Sequence, residues 1–181
     1  FRSTGGKFEN ISIYDYYGTT IKQGNGLALV CDGTYINPND GSLGETVSYN
    51  VFTSIETASV NNYTNGIYVS GDIVNGTANG NACHNTFINS KIIFAGTASN
   101  GMWLGYCDNN TFIDTFIYCP SGVTGYGVLL KPDTGVAGFP TGNIFQHLQA
   151  STKGLYATSD CPINTVYTYA QDNGQPNPVL N

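Results

Sequence analysis

The chain has 181 residues, a formal net charge of −6 with only six Lys plus Arg, a charged fraction of 10%, 23 glycines and 13 tyrosines. That length suits one domain, and the shortage of Lys, Glu and Arg leaves little material for long amphipathic helices, so an all-β chain with many polar turns is expected. With no basic stripe and no apolar run long enough for a membrane-spanning helix, neither nucleic acid nor membrane is an expected partner.

Residues 1–7 do not read as a signal peptide, and a start at Phe1 without Met suggests a piece of a longer chain. The first recognisable element is Gly6-Lys7-Phe8, followed by Gly26-Leu27-Ala28-Leu29 and then Asp32. The same order returns with Asn50-Val51-Phe52, Gly66-Ile67-Tyr68-Val69 and Asp72. It returns again with Asn85-Thr86-Phe87, Gly101-Met102-Trp103-Leu104 and Asp108, then with Asn110-Thr111-Phe112, Gly127-Val128-Leu129-Leu130 and Asp133. A fifth unit runs from Asn143-Ile144-Phe145 through Gly154-Leu155-Tyr156-Ala157 to Asp160, and Asn164-Thr165-Val166 opens a degenerate sixth. Fixed order with two strand-like blocks per unit is the signature of a repeat architecture.

Successive Phe residues lie 44, 35, 25 and 33 positions apart, so the repeat is not of constant length. Most of the variation falls between the Asp and the next Asn, in the stretches 33–49, 73–84 and 134–142, which are expected to be insertions projecting from a constant stack. Two-residue alternation sends Leu27, Ile67, Met102, Val128 and Leu155 inward together with Leu29, Val69, Leu104, Leu130 and Ala157. Between these columns Ala28, Tyr68, Trp103, Leu129 and Tyr156 point outward, which puts Tyr68 beside Trp103 on an outer wall. The fold expected is a right-handed, single-stranded parallel β-helix of about five to six coils with inserted loops, occupying residues 1–181 as a single domain.

Cys31, Cys83, Cys107, Cys119 and Cys161 form an odd set with no C-x-x-C pair, so free thiols are expected and no metal site or cofactor. His84 and His147 have no Ser or Cys in a recognisable nucleophile elbow near them, which removes the case for a hydrolase triad.

The Asn column, the Phe column beside it and the unequal loops at one corner resemble the pectate-lyase-like β-helix superfamily, in the form found in phage tailspikes and tail appendages. The resemblance implies a structural asparagine ladder at Asn50, Asn85, Asn110, Asn143 and Asn164, with amides bonded from coil to coil. It also implies a homotrimer in the virion, at an extracellular surface, among other virion proteins, that binds and often cleaves bacterial surface polysaccharide. The chain carries no contiguous lyase or hydrolase signature. The function expected is therefore a tailspike- or tail-fibre-like module that binds host polysaccharide and supplies a rigid shaft, the alternative being a depolymerase, hydrolase or lyase, of the same fold.

Sugar contacts are expected at the outward aromatics Tyr68, Trp103 and Tyr156, which would equally serve a subunit interface. For the depolymerase alternative the candidate catalytic carboxylates are Asp108 and Asp133, neighbours in the Asp column, and Asp114, the one acid in the column Asn10, Ser54, Asn89, Asp114, His147. Asp is a favoured turn residue that bonds nearby backbone, so the column reads first as structural. Ile88 and Ile113, outward on what ought to be a polar wall, are expected to touch another subunit.

Overall fold

The computed structural model describes residues 5–15, 25–30, 46–59, 65–71, 73–74, 77–78, 81–94, 100–118, 125–132, 139–150, 155–157, 165–166 and 169–171. These residues are all-β, and three parallel sheets hold all but one short antiparallel pair of their strands. A long sheet stacks Lys7–Asp15, Val51–Ser59, Thr86–Phe94, Thr111–Tyr118 and Ile144–Ala150, with Thr165–Val166 and Tyr169–Gln171 at its end. A second sheet stacks Asn25–Val30, Asn65–Ser70, Asn100–Leu104, Val128–Leu130 and Leu155–Ala157. A short third sheet stacks Thr46–Ser48, Asn81–Cys83 and Cys107–Asp108. The chain visits the long, second and short sheets in that order in each of the first three turns and continues to alternate between the long and second sheets, an arrangement compatible with a parallel β-helix. The antiparallel pair, Ile73–Val74 with Thr77–Ala78, lies inside one of the expected insertions.

The register follows the repeat. Phe8 pairs with Phe52, Phe52 with Phe87, Phe87 with Phe112, Phe112 with Phe145 and Phe145 with Val166. Facing rings in the Phe column are 4.8–4.9 Å apart and within 19° of parallel, so each phenyl covers the next and the four from Phe52 to Phe145 are wholly buried. Leu27, Ile67, Met102 and Val128 form the inner column of the second sheet, and Leu29, Val69, Leu104 and Leu130 the next, in one core with Val47, Ala82 and Cys107 of the short sheet. Of the expected free thiols, Cys107 is a buried apolar residue of that core and Cys83 is half-buried. Cys31, Cys119 and Cys161 lie outside the described residues.

Two columns of left-handed residues turn the chain. Gly5, Tyr49, His84, Asn109 and Gly142 have φ between +53° and +72° and stand immediately before the Asn column or its Gly6 equivalent. Asn10, Ser54, Asn89, Asp114 and His147, with φ between +51° and +55°, bend the long strands two residues after each Phe. That bend resets the inward–outward alternation, so Phe52 and Ile55, three apart, both face the core, as do Phe145 and Leu148. Asn and Asp tolerate this conformation better than other L-residues, which accounts for much of the polar composition of the second column.

The asparagine ladder is continuous and buried. The Nδ2 atoms of Asn50, Asn85 and Asn110 each donate to Oδ1 of the Asn in the following coil at 3.0 Å. The same Oδ1 atoms accept the backbone N–H of the preceding Asn at 3.0–3.1 Å, and Asn50 Oδ1 accepts Gly6 N–H. The remaining amide protons of Asn85, Asn110 and Asn143 go to the carbonyls of Val47, Ala82 and Cys107. The side-chain oxygen and nitrogen of all four ladder residues thereby have partners, which is the condition for burying them. Asn164 lies outside the described residues.

A second ladder runs along the second sheet. Asn65 Nδ2 donates to Asn25 Oδ1 at 2.8 Å, Asn100 Nδ2 to Asn65 Oδ1 at 3.0 Å, and Asn100 Oδ1 accepts Tyr126 N–H. Each of these Asn residues precedes a glycine of the repeat. A Cβ on Gly26, Gly66 or Gly101 would stand 2.6–2.7 Å from the carbonyl oxygen of the corresponding glycine in the next coil. The glycines are therefore dictated by coil-to-coil approach.

Candidate functional site

The outer wall of the second sheet carries the aromatic column. Register pairs Ala28 with Tyr68, Tyr68 with Trp103, Trp103 with Leu129 and Leu129 with Tyr156. Tyr68 and Trp103 meet edge to face, with ring centroids 5.6 Å apart and an interplanar angle of 66°. Trp103 Nε1 donates to the carbonyl of Lys131 at 2.9 Å, which satisfies the indole and fixes its tilt. Tyr156 is placed by its backbone opposite Leu129, two coils beyond Trp103, and its side chain lies outside the described residues. Both described rings are half-buried. They form a wall with apolar faces held rigidly by the sheet.

The column beside it, Val30, Ser70, Gly105 and Lys131, is less open than alternation suggests. Ser70 and Gly105 are buried, and the Ser70 hydroxyl accepts the backbone N–H of Tyr106 at 3.0 Å. Only Lys131 of the four is exposed, so no continuous polar groove runs along that column.

Among the carboxylates, Asp108 sits in the short sheet, where its register partners are Cys83 and, through an isolated bridge, Thr141. Its Oδ2 accepts from Asn81 Nδ2 at 2.6 Å and its Oδ1 from Thr141 Oγ1 at 2.5 Å. Position in this sheet is counted back from the Asn, because insertions separate the preceding Asp from the corner in other coils. Asp108, two residues before Asn110, therefore stacks with Ser48, Cys83 and Thr141, each two residues before its own Asn. The carboxylate ties three coils together through side chains, where a bond to nearby backbone was expected. Asp133 lies outside the described residues.

Asp114 occupies the left-handed bend on the long sheet, and its Oδ1 lies 2.9 Å from His147 Nδ1 in the next coil; both side chains are more than half exposed. Further along that wall Lys91 pairs with Glu56 at 2.9 Å. The Lys91 ammonium, with help from the Tyr14 hydroxyl, holds the Glu56 carboxyl below its ordinary value of 4.5 against the opposing effect of burial. Burial, reinforced by the negative charge of Asp108, pushes the Cys83 thiol up, so less of it is the reactive thiolate. Asp108, Asp114 and Trp103 belong to three different sheets and are not brought together. Among the described residues no group of three His, Cys, Asp or Glu is placed to hold a metal ion.

One arrangement escaped the sequence reading. Tyr49 and His84, successive members of the left-handed column before the Asn ladder, stack with centroids 5.1 Å apart and planes within 5°. Tyr49 is 62% exposed, the most exposed large apolar residue described. A bulky residue at positive φ carries about 1–2 kcal/mol of strain, and exposure this high returns little burial to offset it. The available signal was alignment to the Asn column, which places Tyr49 and His84 where Gly5, Asn109 and Gly142 stand in other coils.

No family model, characterised protein or solved structure matches the chain.

Proposed function

We propose that the stack winds as a right-handed parallel β-helix and serves as a module of a phage tailspike- or tail-fibre-like appendage, binding host surface polysaccharide along a rigid shaft. The observation that carries this reading is the fixed, half-buried pair Tyr68–Trp103 on the second sheet, because sugar rings present apolar C–H faces that stack on such aromatics. The handedness rests on the strong preference of parallel crossovers for the right hand. Side-by-side placement of Ile113 and Ile88, both half-buried on the outer side of the long sheet, favours assembly with further copies of the chain as a homotrimer, and with other virion proteins. The depolymerase alternative has less support, since Asp108 is engaged in holding coils together and Asp114 stands on another sheet.

The test is incubation with capsular and lipopolysaccharide preparations from candidate host bacteria, measuring retention on the polysaccharide and release of new reducing or unsaturated ends. Binding without new ends is expected, with Trp103→Ala weakening it about tenfold. Cleavage that disappears in Asp108→Ala or Asp114→Ala would replace this reading with the depolymerase. Mass measurement in solution tests the assembly, and a monomer would remove the interface at Ile88 and Ile113.

A further inference from the structure

We infer that the Tyr49–His84 stack is a second sugar-binding platform, which takes the apolar face of a neutral pyranose ring over Tyr49; this rests on the polysaccharide reading of the preceding section. The two rings lie along the stacking direction of the coils, because Ser48 pairs with Cys83 in the short sheet and each ring belongs to the residue that follows. In the first coil the same position is Gly5, whose N–H donates to Ser48 carbonyl at 3.0 Å. Among the described residues a Cβ built on Gly5 meets nothing within 4 Å. The described part of the repeat thus leaves an open place beside Tyr49 where a third ring would continue the stack. His84 covers the other face of Tyr49 and brings ring nitrogens that can bond sugar hydroxyls.

Rigidity favours such a site. His84 N–H donates to Asp108 carbonyl at 3.1 Å, and Asn50 and Asn85, which follow Tyr49 and His84, are locked in the buried ladder. The platform is therefore formed before any ligand arrives, and binding forfeits little conformational entropy. Neutral sugars fit better than acidic ones because the chain carries a net charge of −6. The same column holds Asn109, a residue better suited to this conformation, so the aromatic at Tyr49 (φ +58°) stands against local backbone preference.

The probe is a pair of neutral methyl pyranosides, of galactose and of N-acetylglucosamine, titrated into the whole chain while the aromatic NMR signals of Tyr49, His84 and Trp103 are followed. Saturable shifts at Tyr49 and His84 with an affinity of about millimolar are expected, retained in Trp103→Ala and in Tyr49→Phe. Tyr49→Asn, which keeps the left-handed turn, should abolish them while raising the melting temperature through relief of strain. Gly5→Asn, which fills the open place, should weaken them by at least about tenfold. If Trp103 responds and Tyr49 and His84 do not, this platform is wrong while the polysaccharide reading stands. If none of the three responds to either sugar, both are wrong.

Discussion

The two asparagine ladders use the same side chain for the same purpose and do it unequally. In the ladder of Asn50, Asn85, Asn110 and Asn143 every residue is fully buried, and the Oδ1 atoms of Asn85, Asn110 and Asn143 each receive two bonds, one from side chain and one from backbone. In that of Asn25, Asn65 and Asn100 one side-chain bond joins each pair, Asn25 is half-buried, and the series ends where Tyr126 offers only its backbone N–H. The first ladder lies at the corner that receives insertions of very different length. There the side chains must restore the register that the loops would otherwise lose, whereas the second ladder merely supports a strand whose register the core already sets.

The comparison breaks most readily at Asn85. Asn85→Ala strands the buried N–H and Nδ2 of Asn50 and the carbonyl of Val47, and should lower stability by about 3 kcal/mol or more, read as a fall in the urea midpoint. Asn65→Ala removes the weaker ladder at its centre and should cost about 1–2 kcal/mol in the same measurement; losses of equal size would erase the distinction drawn between the corners. The smallest effect belongs to the surface. Because the folded-state pKa of Glu56 is depressed, its pairing with Lys91 stabilises above the ordinary carboxylate value of 4.5 and is lost as pH falls through the folded value. Exposure limits this contribution to below about 1 kcal/mol, and Glu56→Gln should remove that part of the acid dependence while leaving stability at pH 7 nearly unchanged.

Much of the fold was legible because its determinants recur. The Phe column, the two inward columns of the second sheet and the outward order Ala28, Tyr68, Trp103, Leu129, Tyr156 all appear in the observed register, since each depends on two-residue alternation and on a marker residue per coil. The second ladder is also written in the sequence, as Asn immediately before Gly26, Gly66 and Gly101, but Asn-Gly is equally a common turn dipeptide, so the pair alone does not reveal a ladder. The Asp column misled at Asp108. Counting forward from the glycine aligned residues that insertions move apart, while the stack aligns them backward from the Asn. The Tyr49–His84 stack was hidden for a different reason, because nothing in composition shows that a Tyr will be held in a left-handed conformation.

The direction of the ladder bonds has an electrical consequence. Along the first ladder each amide donates toward later coils, from Asn50 to Asn85 to Asn110 to Asn143, and along the second each donates toward earlier ones, from Asn100 to Asn65 to Asn25. Side-chain dipoles aligned within each file thus oppose each other across the core. An α-helix gathers partial charge at its ends as it lengthens, but a stack built in this way gathers far less. Where both files run, over the coils of Asn25, Asn65 and Asn100, their polarities offset each other instead of accumulating with each coil.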